Sequence, residues 1–132
     1  MTSGTKVVFD TCAVILLLKD EYGLLSLGID FNKALRYVSV ITRMELMAKH
    51  DMKPEEEEAI RSFLADVTVS PLDEEVERKA VEIRRTTNIK LPDCIIAATA
   101  IVLDALLITD DTHLLRLSQL DLNVKAINSL QS

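Results

Sequence analysis

The stretch Pro92-Asp93-Cys94-Ile95-Ile96-Ala97-Ala98-Thr99-Ala100-Ile101-Val102-Leu103-Asp104, followed after Ala105 by Leu106-Leu107-Ile108-Thr109-Asp110-Asp111, sets the fold class. Its first part is long enough for a helix and is apolar on every side, with a proline in the first turn, where the missing N–H costs nothing. The second part has no polar alternation, the pattern of a strand covered on both faces in a parallel sheet. A buried helix feeding a buried strand is the unit of a layered α/β domain.

Outward from there the same units recur. Val7-Val8-Phe9 reads as a short strand ending at Asp10, and Thr11 to Asp20 as a helix rich in Ala, Ile and Leu. A looser stretch with Gly23 and Gly28 precedes a second strand, Tyr37 to Ile41, and a helix from Thr42 to about His50. Pro54 suits a first helical position, and Glu55 to Glu58 crowd the positive end of that helix as a solvated start. Ile60, Phe63 and Leu64 fall on one face of it. Val67-Thr68-Val69 is a third strand, closed by Pro71. Asp73 caps a helix from Glu74 to about Thr87, with Val76, Ala80 and Ile83 inward. A short helix from Asp111 to about Gln119 and a fifth strand from Asn123 to Ile127 complete the pattern. The expected architecture is α/β: a central, mainly parallel five-stranded sheet flanked by helices.

Composition agrees with one domain over residues 1–132, since the chain is 48% hydrophobic and contains three Gly and three Pro. No repeat or linker interrupts it. The start, Met-Thr-Ser-Gly-Thr-Lys-Val, lacks the pattern of a signal peptide, and the apolar runs are too short for a membrane span. Cys12 and Cys94 are too far apart for a C-x-x-C motif and are expected as small buried thiols in a cytoplasmic protein. Fifteen Lys and Arg against 21 Asp and Glu give a net charge of −6, and aromatic residues make up 4%. On charge and ring count alone, nucleic acid is a poor candidate partner.

The positions of the acids say more than their number. Asp10 ends the first strand, Glu45 falls in the first turn after the second, Asp93 opens the apolar helix, and Asp110 and Asp111 follow the fourth strand. In a doubly wound sheet these points gather along one edge, where ligands bind. Carboxylates brought together there repel one another unless a cation neutralises them. Oxygen donors without His or Cys partners favour Mg²⁺ or Mn²⁺ over Zn²⁺, and His50 and His113 lack zinc spacing. Each acid taken singly also has a purely structural reading. Asp10 and Asp93 suit helix caps, Thr42-Arg43-Met44-Glu45 suits a capping box, and Asp110 and Asp111 suit turn and cap residues. A receiver domain would need an acidic pair at strand one and an Asp closing strand three, where Val69-Ser70-Pro71 stands. A haloacid-dehalogenase-type phosphatase would need Asp at position 12, which is Cys12.

Four blocks carry a family resemblance: Val7-Val8-Phe9-Asp10-Thr11, Val40-Ile41-Thr42-Arg43-Met44-Glu45-Leu46, Leu91-Pro92-Asp93-Cys94-Ile95-Ile96-Ala97-Ala98-Thr99-Ala100 and Leu107-Ile108-Thr109-Asp110-Asp111. In order and spacing the chain resembles the PIN-domain nucleases, in particular the ribonuclease toxins of VapBC-type toxin–antitoxin pairs. The resemblance implies a single PIN-like domain with Asp10, Glu45, Asp93 and Asp111 as the acidic metal-binding and catalytic set, Asp110 being the alternate to Asp111. Thr109 matches the family's threonine two positions before the last acid, whereas Cys12 stands where Ser or Asn is common.

The implied activity is Mg²⁺- or Mn²⁺-dependent hydrolysis of RNA, with Asp10 and Asp93 as principal ligands. Glu45 would bind metal through water or orient the nucleophile, and Asp111 would complete a second or weaker site. Thr11 and Thr109 would support, and Arg43, Arg85 and Lys90 would contact the phosphate backbone. Implied partners are RNA, a cognate antitoxin protein seated on apolar surface such as Leu16–Leu18 and Leu24–Leu25, and a second copy in a homodimer. No membrane is implied. The rival reading is a non-catalytic PIN-like module that binds nucleic acid or protein without cutting.

Overall fold

The computed structural model of the protein describes residues 5–19, 33–117 and 124–126. Strand β1 (Lys6–Phe9) leads through α1 (Thr11–Leu18) to β2 (Leu35–Ser39). Helices α2 (Val40–Met47) and α3 (Pro54–Ala65) precede β3 (Thr68–Ser70). Then come α4 (Glu74–Thr86), α5 (Leu91–Leu103), β4 (Leu106–Thr109), α6 (Thr112–Leu115) and β5 (Val124–Ala126). The five strands form one sheet in the order β3-β2-β1-β4-β5, parallel throughout. The expected class and strand number therefore hold.

That order creates the site. From β1 the chain builds outward through β2 to β3, then crosses back through α4 and α5 to add β4 on the other side of β1. The direction of winding reverses between β1 and β4, and such a switch point leaves a crevice at the strand carboxyl ends. Val7 pairs with Leu106, Val8 with Leu107 and Phe9 with Ile108, so the residues after both strands arrive at that crevice side by side.

Strand alternation splits the core between the two faces. Val7 and Phe9 point to one face, with Val38 and Ile108, and meet Ala13 and Val14 of α1, Leu46 of α2 and Ile60 of α3. Phe9 and Phe63 stack edge to face there, with centroids 5.8 Å apart, a geometry worth about 1 kcal/mol beyond burial. Val8 and Leu107 point to the other face, against Val76, Ala80 and Ile83 of α4 and the run Cys94–Ala100 of α5. Helix α5 is wedged between sheet and α4, and its small residues Ala97, Ala98 and Ala100 allow both to approach.

Helix α2 departs from expectation. The sequence places its start at Thr42, with Val40 and Ile41 still in the strand on their β-branched character. Instead Ser39 ends β2 and caps α2 directly, its hydroxyl accepting from the Ile41 N–H at 3.1 Å. A side-chain cap available at once outweighs the strand propensity of the next two residues. Thr42-Arg43-Met44-Glu45 is therefore inside the helix and is not a capping box. Similarly, Lys90 is the cap residue of α5 and Asp93 its third residue, so Asp93 is not the cap. Cys94 is buried as expected, whereas Cys12 is exposed; both are free thiols. Among the described residues no helix is long and apolar enough to cross a membrane. Gly23, Leu24, Leu25 and Gly28 lie outside the described residues.

Candidate active site

Asp10 is the centre of the crevice. Its N–H donates to the Ile108 carbonyl at 3.1 Å, continuing the β1–β4 ladder by one bond past the strand. Its side chain then turns to cap α1, Oδ1 accepting from the Ala13 N–H at 2.7 Å. Oδ2 accepts from the Thr109 hydroxyl. Only 3% of the residue is exposed. Burial is the main force on its carboxyl, pushing the pKa from 3.8 up to about 6. The bonds from Thr109 and the Ala13 N–H pull the other way, while the charges of Asp111 and Asp93 push up further.

Thr109 couples the two strands at this point. Fully buried at the end of β4, it gives its hydrogen to Asp10 and accepts the Asp111 N–H at 2.9 Å. Asp111 in turn offers its carbonyl to the Leu115 N–H at 3.0 Å, which starts α6. Asp110 and Asp111 are both half-buried. Asp93 is half-buried in the first turn of α5. Cys12, one helical position beyond Thr11, has its thiol pushed up by partial burial and then by Asp10, Asp110 and Asp111, which locates it beside the same acids.

Glu45 reaches the site from α2. It is exposed, and its Oε1 accepts from the Thr11 hydroxyl at 2.5 Å, which ties it to the residue after Asp10. Thr11 also lies 3.3 Å from the hydroxyl of Thr42, a fully buried residue to which sequence reading assigned only a capping role. The sequence carried one signal for it: a threonine three residues before Glu45, on the same helix face once the helix starts at Val40.

Asp111 and Asp93 act on Asp10 across the crevice, and Glu45 is joined to it only through Thr11; among the described residues no three His, Cys, Asp or Glu side chains form a group able to hold a metal ion. In kind the donors suit a hard cation: carboxylates and hydroxyls, with a buried Asp10 whose neighbours are also acidic. Arg43 is exposed on α2, two residues before Glu45, and Lys90 is exposed at the start of α5. Arg85 is exposed in the last turn of α4, on a surface it shares with Glu74, Glu77, Arg78 and Glu82. Beside Glu45, an apolar groove runs between α1, α2 and α3, lined by Ile15, Leu18, Leu46 and Ile60, with both basic (Lys19, Lys49) and acidic (Glu55, Glu56) side chains around it.

The PIN-domain family profile matches residues 7–120, nearly the whole chain. Solved structures agree on the fold. A chain of the VapBC-1 complex from nontypeable Haemophilus influenzae superposes with a TM-score of 0.76 at 20% identity, covering 94% of this chain and 99% of that one. A chain of VapBC2 from Rickettsia felis, bound to a DNA fragment from its promoter, gives 0.73 at 16% identity, covering 92% and 98%. A chain of a toxin–antitoxin complex from Klebsiella pneumoniae is 29% identical, with a TM-score of 0.66 and coverage of 80% and 87%. No curated protein matches the sequence.

Proposed function

The chain belongs to the PIN-domain family, and on that premise we propose that it is a metal-dependent endoribonuclease acting as the toxin of a toxin–antitoxin pair. The observation that carries the reading is Asp10: a buried carboxyl at the switch point, held by two hydrogen bonds and pressed by two further acids. Such a group gains from a cation. Asp10 and Asp93 would be its main ligands, with Glu45 and Asp111 completing the set and Asp110 the alternate. A bound Mg²⁺ or Mn²⁺ supplies positive charge and Lewis acidity toward a phosphodiester.

The chain's own groups do the rest. Thr109 fixes the rotamer of Asp10 and the backbone of Asp111 together. Thr11 holds Glu45 in reach of water at the site, where Glu45 orients the attacking molecule. Arg43, Arg85 and Lys90 would steer the RNA backbone by charge. The apolar groove beside Glu45 offers a seat for an antitoxin segment, and the Klebsiella pneumoniae relative comes from a toxin–antitoxin complex. A homodimer and a cytoplasmic location belong to the same reading.

The test is cleavage of structured RNA with Mg²⁺ or Mn²⁺ by wild type, Asp10→Asn and Asp93→Asn. Wild type should cut, and each variant should lose about 100-fold or more in rate, the scale of lost metal-site stabilisation. Variants as fast as wild type would sink the assignment. The rival, a PIN-like module that binds without cutting, draws on the absence of a three-residue metal-holding group among the described residues. It requires wild type to give no heat with Mn²⁺ in calorimetry.

A further inference from the structure

Thr42 is fully buried, on the α2 turn that faces α1, and its one hydroxyl meets that of Thr11 at 3.3 Å. Thr11 simultaneously contacts Glu45 Oε1 at 2.5 Å. A hydroxyl has a single hydrogen, and a carboxylate only accepts. The Thr11 hydrogen therefore goes to Glu45, the shorter and charge-assisted bond. The hydrogen between the two threonines must then come from Thr42. The result is a directed chain, Thr42 to Thr11 to Glu45, that starts in the core and ends on an exposed carboxylate.

We propose that Thr42 is a positioning residue for Glu45, acting through the hydroxyl of Thr11. Glu45 is exposed and on a long side chain, so its free rotamers are many, and holding it costs entropy. A single bond from Thr11 would leave the Thr11 hydroxyl itself free to turn. By occupying a lone pair of Thr11, Thr42 orients that hydroxyl toward Glu45. Thr42 and Glu45 are three residues apart on one helix, whereas Thr11 begins another, so the chain also sets α1 against α2. The inference rests on the reading of Glu45 as one of the metal-binding acids.

The experiment is calorimetric Mn²⁺ binding by wild type, Thr42→Val, Thr42→Ser, Glu45→Gln and Thr42→Val/Glu45→Gln, with urea unfolding of each. Valine keeps the shape and removes the hydroxyl. Thr42→Val should bind Mn²⁺ about tenfold more weakly, the usual effect of removing a ligand's supporting partner. Thr42→Ser should restore binding to within about twofold, and Thr42→Val should add nothing in the Glu45→Gln background. In RNA cleavage, Thr42→Val should lower kcat and leave KM unchanged. Thr11→Val should reproduce the same loss, and it carries the test if Thr42→Val does not fold. Equal Mn²⁺ binding by wild type and Thr42→Val overturns the inference while leaving the metal reading intact. So does a loss of the same size in the Glu45→Gln background. If wild type binds no Mn²⁺, the metal reading falls and this inference falls with it.

Discussion

Asp10 and Asp93 begin two helices built almost wholly of apolar residues, and in sequence both look like the same device. Their surroundings differ. Asp10 is the N-cap of α1, 3% exposed, with both oxygens bonded and its carboxyl pushed up to about 6. Asp93 is the third residue of α5, half-buried, behind a cap residue, Lys90, that makes no side-chain bond to the helix. A carboxylate in a first turn gains from the helix dipole by some tenths of a kcal/mol. At Asp10 that gain is outweighed by burial. One acid is therefore held at a cost to the fold, whereas at the other the helix dipole offsets the repulsion it exerts on Asp10.

The two should respond to neutralisation by very different amounts. Raising the Asp10 carboxyl from 3.8 to about 6 corresponds to about 3 kcal/mol favouring the protonated form in the folded state. The stabilisation is fully present below pH 3.8, is lost as pH rises through about 6, and above that the ionised carboxylate weighs on the fold. In chelator at pH 7, Asp10→Asn should be more stable than wild type by about 2–3 kcal/mol, and at pH 4 the two should nearly coincide. Asp93→Asn should instead change stability by less than about 0.5 kcal/mol at pH 7, because the lost dipole interaction and the relieved repulsion on Asp10 oppose each other. Urea unfolding at both pH values measures all three. A destabilised Asp10→Asn at pH 7 would break the contrast.

A smaller effect falls on Thr109, which makes the Asp10 environment tolerable. Thr109→Val removes a donor from a buried carboxylate and an acceptor from the Asp111 N–H. It should cost about 1–2 kcal/mol, more at pH 7 than at pH 4, because the lost bond favours the ionised form of Asp10. Thr109→Ser should recover most of it. A pH-independent loss would mean that Thr109 serves packing and not Asp10.

How much of this was legible beforehand follows from which interactions are local. The apolar runs gave the class, and strands β1 and β4 are in the sheet positions their continuous hydrophobicity implies. Asp73 capping α4 and Pro54 opening α3 were readable because a cap involves residues three apart in the chain. The start of α2 is not legible in the sequence, because Val40 and Ile41 have strand character and only the geometry of Ser39 decides between the two outcomes. The meeting of Asp10 with Thr109 spans 99 positions, and that of Thr11 with Thr42 spans 31. Topology brings the first pair together by placing β4 beside β1, so an edge of acids was foreseeable. Which hydroxyl serves which acid depends on side-chain direction and was not.

The smallest effect tests whether the two helix starts differ by chance or by geometry. A serine at Lys90 would seem to supply the missing cap of α5. Ser39 and Lys90 have nearly the same backbone, at φ −68°, ψ 151° and φ −62°, ψ 148°. With that backbone Ser39 bonds the N–H of the second helical residue, Ile41. The second residue of α5 is Pro92, which has no N–H to give. Asp10 and Asp73 bond the third residue instead, and their ψ values are 173° and −178°. A serine at position 90 could thus reach the Asp93 N–H only after ψ turns by roughly 25–34°, from 148° to the 173° and −178° of the caps that do so. Lys90→Ser should therefore change stability by less than about 0.5 kcal/mol, whereas Ser39→Ala should cost about 1 kcal/mol. A full gain of about 1 kcal/mol from Lys90→Ser would mean that the α5 start is free to rotate, and Asp93 with it. The difference between the two carboxylates would then lie in burial alone and not in how their helices begin.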